Sequence, residues 1–132
     1  MSKLSLNAQY QREYRKDKFV FYQRLQKSDY DRLYDYAKDI KVSTKSIFVN
    51  GINSLYKKTK GYEFNEKAIQ GLSIKQLWQT TMNEEPSDVG VSWTIELRDK
   101  DKLDYITQEL GVSYKEILVY IIRESTPLPY EE

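Results

Sequence analysis

Hydrophobic and polar residues alternate in two short stretches of the chain, and each stretch is followed by two segments with helical periodicity. Residues 19–25 (FVFYQRL) and 91–97 (VSWTIEL) predict β-strands, because alternate positions of a strand face opposite sides of a sheet. One face of the predicted strands is apolar, with Phe19, Phe21, Leu25, Val91, Trp93, Ile95 and Leu97. The other carries Val20, Tyr22, Arg24, Ser92, Thr94 and Glu96. The following segments repeat apolar residues every three or four positions, which predicts amphipathic helices.

The two stretches open two copies of one repeated unit. Residues 19–56 and 91–125 align without a gap at a spacing of about seventy residues. The alignment matches Asp29 with Asp99, Leu33 with Leu103, Ser43 with Ser113 and Lys45 with Lys115. A strand and two helices in about forty residues bury too little surface to fold alone. Antiparallel pairing of the two strands, with the four helices crossing, would satisfy the strand backbones and build one core.

The predicted fold is therefore mainly α with a two-stranded antiparallel β-ribbon, formed by two units in one chain as an intramolecular pseudo-dimer. Pairing between two chains remains the alternative. The predicted parts are a basic N-terminal arm (1–17), a first unit (18–58), a linker with a short helix over 73–82 (59–89), a second unit (90–126) and an acidic tail (127–132). In the linker helix, Ile74, Leu77 and Trp78 are expected to pack on the core.

Polar residues before each helical stripe predict where the helices begin. Ser28 and Asp99 are the predicted N-caps of the first helix in each unit. The second helices are expected to be capped by Ser43, or by Thr44, and by Ser113.

Other features predict helix ends and a helix crossing. Gly111 suits a left-handed C-cap. The second helix of the first unit is expected to end at Lys57 and Lys58, since basic residues favour the negative end of the helix dipole. Gly51 is either a tolerated helix glycine or the site of a close crossing with the partner helix.

Composition excludes several classes of chemistry. The 132 residues include no Cys and no His, so disulfides, thiolates and the usual zinc sites are absent, and no cofactor is expected. An enzyme is not expected, because no nucleophile–base set or phosphate-binding glycine loop is evident. No hydrophobic run reaches the ~20 residues of a membrane span, and the N-terminus lacks a signal-peptide core. A cytoplasmic protein without a membrane partner is expected.

Net charge argues against a simple DNA-binding protein, whereas its distribution argues for one. There are 21 Lys and Arg residues against 20 Asp and Glu residues. Phosphate neutralisation supplies much of the affinity for DNA. Residues 41–60, however, contain five lysines and no acidic residue.

The order strand, helix, turn and helix resembles the ribbon-helix-helix superfamily, which includes the methionine and Arc repressors. The resemblance is specific at 111–115 (GVSYK) and looser at 41–45 (KVSTK), where Lys41 stands in the place of the usual glycine. It covers more than half of the chain. The start at 7–12 (NAQYQR) is similar to the lead-in of small phage and mobile-element members.

The resemblance implies a ribbon that enters the major groove of double-stranded DNA, where each base pair shows a distinct pattern of donors and acceptors. It implies base contacts from Val20, Tyr22, Arg24, Ser92 and Thr94. It implies phosphate contacts, at the start of each second helix, from Ser43, Thr44, Lys45, Ser113, Tyr114 and Lys115. The arm would add backbone contacts from Arg12, Arg15, Lys16 and Lys18.

The expected function is sequence-specific binding of double-stranded DNA by a transcriptional repressor or similar regulator. One alternative is an accessory protein of a plasmid or phage, for segregation or for loading a nicking enzyme. Another is a protein-binding module that kept the scaffold and lost the groove contacts. Arg24 could instead pair with a carboxylate. Glu96 shares the outer face, where it would repel phosphates. Either it lies beyond the contacted part of the ribbon, or it accepts a hydrogen bond from a cytosine amino group, or the second strand does not bind DNA. Self-association on adjacent DNA sites is also plausible.

Overall fold

The computed structural model describes residues 18–79 and 87–126. Within these ranges the protein is mainly helical, with five helices and one two-stranded antiparallel sheet. The elements are β1 (Lys18–Gln26), α1 (Lys27–Ile40), α2 (Thr44–Gly61), α3 (Phe64–Gln79), β2 (Ser87–Glu96), α4 (Leu97–Leu110) and α5 (Tyr114–Ser125). None of these helices is long and apolar enough to cross a membrane.

The two strands pair antiparallel, as the repeat predicts. Tyr22 lies opposite Ser92, with Val20 opposite Thr94 and Arg24 opposite Gly90. Tyr22 and Ser92 are seventy residues apart, so they occupy the same position in the two copies. The register is therefore symmetric about this pair, and the ribbon brings both units onto one core.

The inner face of the ribbon covers an aromatic cluster. Phe21 lies 4.6 Å from Phe48 between ring centroids, and Trp93 lies 5.0 Å from Phe48. The Trp93 indole N–H donates a hydrogen bond of 3.0 Å to the Thr44 hydroxyl oxygen. Phe21 and Trp93 are buried and Phe19 is partly buried, as the alternation predicts. These contacts fix the ribbon against the start of α2.

Helices α2 and α5 cross where two corresponding residues meet. A Cβ atom on Gly51 would lie 2.9 Å from Cγ1 of Ile121, nearer than side chains pack. Ile121 is seventy residues beyond Gly51 and is itself buried. The close crossing expected of Gly51 is confirmed.

The predicted N-caps of the first helices are wrong. Helix α1 begins at Lys27 and α4 at Leu97, so neither Ser28 nor Asp99 caps them. Because each strand runs directly into its helix, the last extended residue of the strand becomes the N-cap. Leu97, expected to end the second strand, is consequently the first residue of α4.

Asp29 and Asp99 lie inside the first turns of α1 and α4, where both are buried. A negative charge there is favoured by the helix dipole. Arg123 donates two hydrogen bonds of 3.0 Å to the Asp29 carboxylate, which ties α5 to the start of α1. Nearby, the Arg32 guanidinium donates to the hydroxyl and the carbonyl of Thr126.

The second helices begin as predicted, and α4 ends at the predicted left-handed C-cap. The Ser43 hydroxyl accepts the Ser46 N–H, and Ser113 forms a capping box with Glu116. Gly111 is left-handed with φ 66°, and Lys41 takes the same conformation with φ 59°. The turn after α1 therefore keeps its geometry without glycine.

The linker is more helical than predicted. Helix α2 continues past Lys58 to Gly61, and α3 occupies 64–79 instead of 73–82. The added turn of α2 is packed on the core, because Thr59 is buried. A Cβ atom on Gly61 would meet nothing within 4 Å. Residues 80–82 lie outside the described residues.

Helix α3 packs its inner side on the second unit. Ile74 is buried and Leu77 is partly buried, as expected, while the side chain of Trp78 lies outside the description. Gly71 lies inside α3, at a point where a Cβ atom would overlap the Leu110 carbonyl group. The glycine thus permits close contact between α3 and the end of α4.

Candidate nucleic-acid interface

The outer face of the ribbon gathers all five residues implied as base-contacting. Val20, Tyr22, Arg24 and Ser92 are exposed and Thr94 is partly exposed. They point away from the core because they alternate with residues that face it, such as the buried Phe21, Leu25 and Trp93. We call these five residues the outer ribbon face.

The side chain of Tyr22 lies against the backbone of Gly90. A Cβ on Gly90 would lie 2.9 Å from the Tyr22 hydroxyl oxygen, so the tyrosine ring leans across the glycine. Sequence reasoning did not single out Gly90. The alternation that places Ser92 outward also places residue 90 outward, and this signal could have found it.

One end of the outer ribbon face carries two cations close together. Burial lowers the pKa of the Lys115 ammonium, and the neighbouring positive charge of Arg24 lowers it further. Arg24 comes from β1, whereas Lys115 belongs to the first turn of α5. The fold therefore joins a residue of the ribbon and a residue of a helix start into one positive corner, which an anion would stabilise.

The acidic residue at the other end is neutralised within the protein. The Glu96 carboxylate lies 2.8 Å from Nε of Arg98 and 3.9 Å from Nζ of Lys18. Lys18, which was grouped with the arm in the expected DNA contacts, is the first residue of β1. Glu96 ends the ribbon, beyond the residues of the outer ribbon face, and two positive charges offset its repulsion of a phosphate.

The start of α2 combines the positive end of the helix dipole with a lysine side chain. Ser43 caps the helix, its first turn contains no acidic residue, and the exposed Lys45 follows at the second position. The first N–H groups of a helix lack intrahelical partners and favour an anion. Thr44, the first residue of α2, holds the helix start against the ribbon, because its hydroxyl oxygen accepts the hydrogen bond from the Trp93 indole N–H.

The start of α5 differs, because an acidic side chain already accepts a hydrogen bond from a backbone N–H there. The Glu116 carboxylate accepts the Ser113 N–H at 2.8 Å. Tyr114 turns inward, with its ring 5.8 Å from that of Phe21. Its hydroxyl donates a hydrogen bond to Asp104, so this hydroxyl serves the core and not the surface.

The Tyr114–Asp104 contact shifts the pKa values of both groups. Burial, followed by the hydrogen bond to Asp104, raises the pKa of Tyr114 to about 12. Burial raises the pKa of Asp104, but hydrogen bonds from Lys100 and Tyr114 outweigh it and lower that pKa below its usual range. Tyr114 remains a neutral donor at physiological pH.

The remaining implied residues, Arg12, Arg15 and Lys16, lie outside the described residues. Across residues 18–79 and 87–126, no group of acidic, His or Cys side chains is arranged to hold a metal ion. No protein family, curated protein or solved structure matches the chain in comparisons with each.

Proposed function

We propose that this protein binds double-stranded DNA sequence-specifically as a ribbon-helix-helix pseudo-dimer and acts as a transcriptional repressor or related regulator. The observation that carries the proposal is the outer ribbon face, whose side chains project together from two paired strands on a helical base. The major groove is about 12 Å wide and admits a two-stranded ribbon.

The chemistry of the outer ribbon face suits base readout. Arg24 can donate two hydrogen bonds to the O6 and N7 atoms of a guanine, and Ser92 and Thr94 can bond several bases. The exposed methyl groups of Val20 suit the methyl group of thymine. The positive charge of Arg24 contributes to the lowered pKa of Lys115, and a DNA phosphate near both groups would offset their repulsion.

Phosphate contacts are expected to be unequal at the two helix starts. At the start of α2, the helix dipole and Lys45 act together, and the first turn contains no acidic residue. At the start of α5, the Glu116 carboxylate accepts the Ser113 N–H and adds negative charge. Lys115 and Arg24 must offset that charge. The start of α2 is therefore the stronger phosphate anchor.

The target is expected to be asymmetric. The corresponding outward positions of the two strands differ at each pair, with Val20 and Gly90, Tyr22 and Ser92, and Arg24 and Thr94. Identical subunits favour palindromic sites because protein and DNA share a two-fold axis. Two divergent strands remove that requirement. Occlusion of a promoter by such a protein would suffice for repression.

The test is selection of bound duplexes from a random library, followed by affinity measurements on the selected sequence and on unrelated DNA. Arg24→Ala should lower the preference for the selected sequence by about 1–3 kcal/mol. Lys45→Ala should weaken binding to all sequences alike and reduce the salt dependence by about one counterion. Lys57→Ala is the matched control, since it removes an exposed lysine about 18 Å further along α2.

Equal effects of Lys45→Ala and Lys57→Ala would show that the helix start binds no phosphate. If the selection enriched no sequence, or Arg24→Ala left the enriched sequence unchanged, groove reading by the outer ribbon face would be wrong. The scaffold would then be better explained as a protein-binding module.

A further inference from the structure

Three cross-strand pairs carry the outer ribbon face, and one of them contains a glycine. The pairs are Val20 with Thr94, Tyr22 with Ser92, and Arg24 with Gly90. We call the pair of Arg24 and Gly90 the glycine row. A glycine inside a strand weakens the strand, and it often marks a place where another group approaches the backbone closely.

The Tyr22 side chain is the group that approaches this glycine. A Cβ atom on Gly90 would lie 2.9 Å from the Tyr22 hydroxyl oxygen, 3.1 Å from Cε2 and 3.3 Å from Cζ. Position 90 is diagonal to Tyr22, because it lies two residues from the cross-strand partner Ser92. Diagonal neighbours are about 7–8 Å apart, a distance that an aromatic side chain can span. Tyr22 therefore leans out of its own pair and into the glycine row.

The end of the tyrosine ring thus takes the place of a side chain at position 90. The Tyr22 hydroxyl can donate and accept hydrogen bonds, and 56% of the residue remains exposed. Arg24 is also exposed, and its side chain starts from the other strand of the same row. The glycine row consequently combines a guanidinium group on β1 with a phenol group beside β2.

The other half of the ribbon lacks this arrangement. The repeat places Val20 where the second strand has Gly90, and Ser92 where the first strand has Tyr22. A serine side chain is too short to span the diagonal distance, and Val20 leaves no gap to be filled. The long side chain and the missing side chain therefore occur together on one half of the ribbon.

We propose that Gly90 is a specificity-determining residue, which places the Tyr22 hydroxyl in the glycine row so that Tyr22 and Arg24 read one G·C base pair together. This inference rests on the proposed function. Gly90 acts as a positioning residue, because Tyr22 and Arg24 make the contacts with the base pair.

The two side chains match the pattern of a G·C pair in the major groove. Guanine presents its O6 and N7 acceptors side by side, and cytosine adds its N4 amino donor. Arg24 can donate to both guanine atoms while the Tyr22 hydroxyl oxygen accepts from the cytosine amino group. An A·T pair places the adenine amino donor between its two acceptors, so it cannot satisfy both side chains.

An aromatic ring over a strand glycine can also stabilise a sheet. A contact that only stabilised the ribbon would leave base preference unchanged, so base preference is the property to measure. Gly90→Ala is a suitable variant, because its methyl group would meet the far end of a flexible side chain. The ring can move aside while the strands stay paired.

The ring position is tested first in the free protein. Nuclear Overhauser contacts should join the Tyr22 ring protons to the Gly90 α-protons, one of which points in the direction of the missing Cβ atom. Absence of these contacts would overturn the placement of Tyr22 in the glycine row, whatever the protein binds.

Base preference is then measured on duplexes selected by the natural protein. Gly90→Ala and Tyr22→Phe should each lower the preference for G·C at one base pair roughly fivefold, the effect of losing one neutral hydrogen bond. Arg24→Ala should act on the same base pair. Tyr22→Ala provides the matched background, since no ring remains to be displaced there and Gly90→Ala should change the preference by less than about 1.5-fold.

Three results would overturn the inference and leave the proposed function in place. They are an unchanged base preference in Gly90→Ala, an equal loss of affinity for selected and unrelated duplexes, and separate base pairs for Tyr22→Phe and Arg24→Ala. Selection of no sequence by the natural protein would instead refute the proposed function, and this inference with it. The Tyr22 contact in the free protein would then serve the ribbon alone.

Discussion

The crossing of α2 and α5 can be tested with one methyl group. In Gly51→Ala the new Cβ would lie 2.9 Å from Cγ1 and 3.1 Å from Cδ1 of Ile121. Ile121 is buried, and a β-branched residue in a helix has essentially one side-chain rotamer, so it cannot turn away. The helices themselves must separate.

The magnitude follows from two opposing terms. Replacing a helix glycine by alanine gains about 1 kcal/mol of helix propensity. Overpacking a tight core costs about 1–3 kcal/mol, and the absence of an alternative rotamer places this site at the upper end. Gly51→Ala should therefore lower the free energy of unfolding by about 1–2 kcal/mol. Gly61→Ala is the matched control in the same helix, since its Cβ would meet nothing within 4 Å.

The assay is urea unfolding followed by far-ultraviolet circular dichroism, extended to a double-mutant cycle with Ile121→Ala. The smaller side chain removes the clash, so Gly51→Ala and Ile121→Ala should combine with at least about 1 kcal/mol less destabilisation than their sum. Unchanged stability of Gly51→Ala, or strict additivity in the cycle, would refute the close crossing.

Three further predictions concern the ion pair, the helix ends and the tyrosine. Arg123→Met leaves the Asp29 carboxylate buried without its partner and should cost about 3–5 kcal/mol of unfolding free energy; a loss below 1 kcal/mol in urea unfolding would contradict it. Lys41→Gly relieves a left-handed conformation and should raise the unfolding free energy by about 1 kcal/mol, whereas Gly111→Ala should lower it by a similar amount. Because the pKa of Tyr114 is raised from 10.0 to about 12, its contribution to stability is full below pH 10 and is lost as the pH rises towards 12. The stability difference between the natural protein and Tyr114→Phe should narrow over that interval, and a constant difference in pH-dependent unfolding would refute the shift.

The ribbon and the turns could be predicted from sequence because their signals are local. Alternation placed Tyr22 and Ser92 outward, and the repeat required the strands to pair. Ser43 and Ser113 cap their helices through bonds to residues three positions later. Such features depend on a few neighbouring residues.

Features that depend on distant contacts could not be predicted in this way. Asp29 meets Arg123 across 94 positions of the chain, and no residue near Asp29 in the sequence indicates this partner. Gly71 resembles a helix interruption until Leu110 is placed against it. The joining of Arg24 and Lys115 likewise requires the second unit to fold against the first strand.

The central claim is that the outer ribbon face enters the major groove. Dimethyl sulfate footprinting on the selected duplex tests it directly, because the reagent methylates guanine N7 in the major groove and adenine N3 in the minor groove. Guanine N7 atoms within the site should be protected, and the protection of at least one guanine should be lost in Arg24→Ala. Protection confined to adenine N3, or a pattern unchanged by Arg24→Ala, would contradict it.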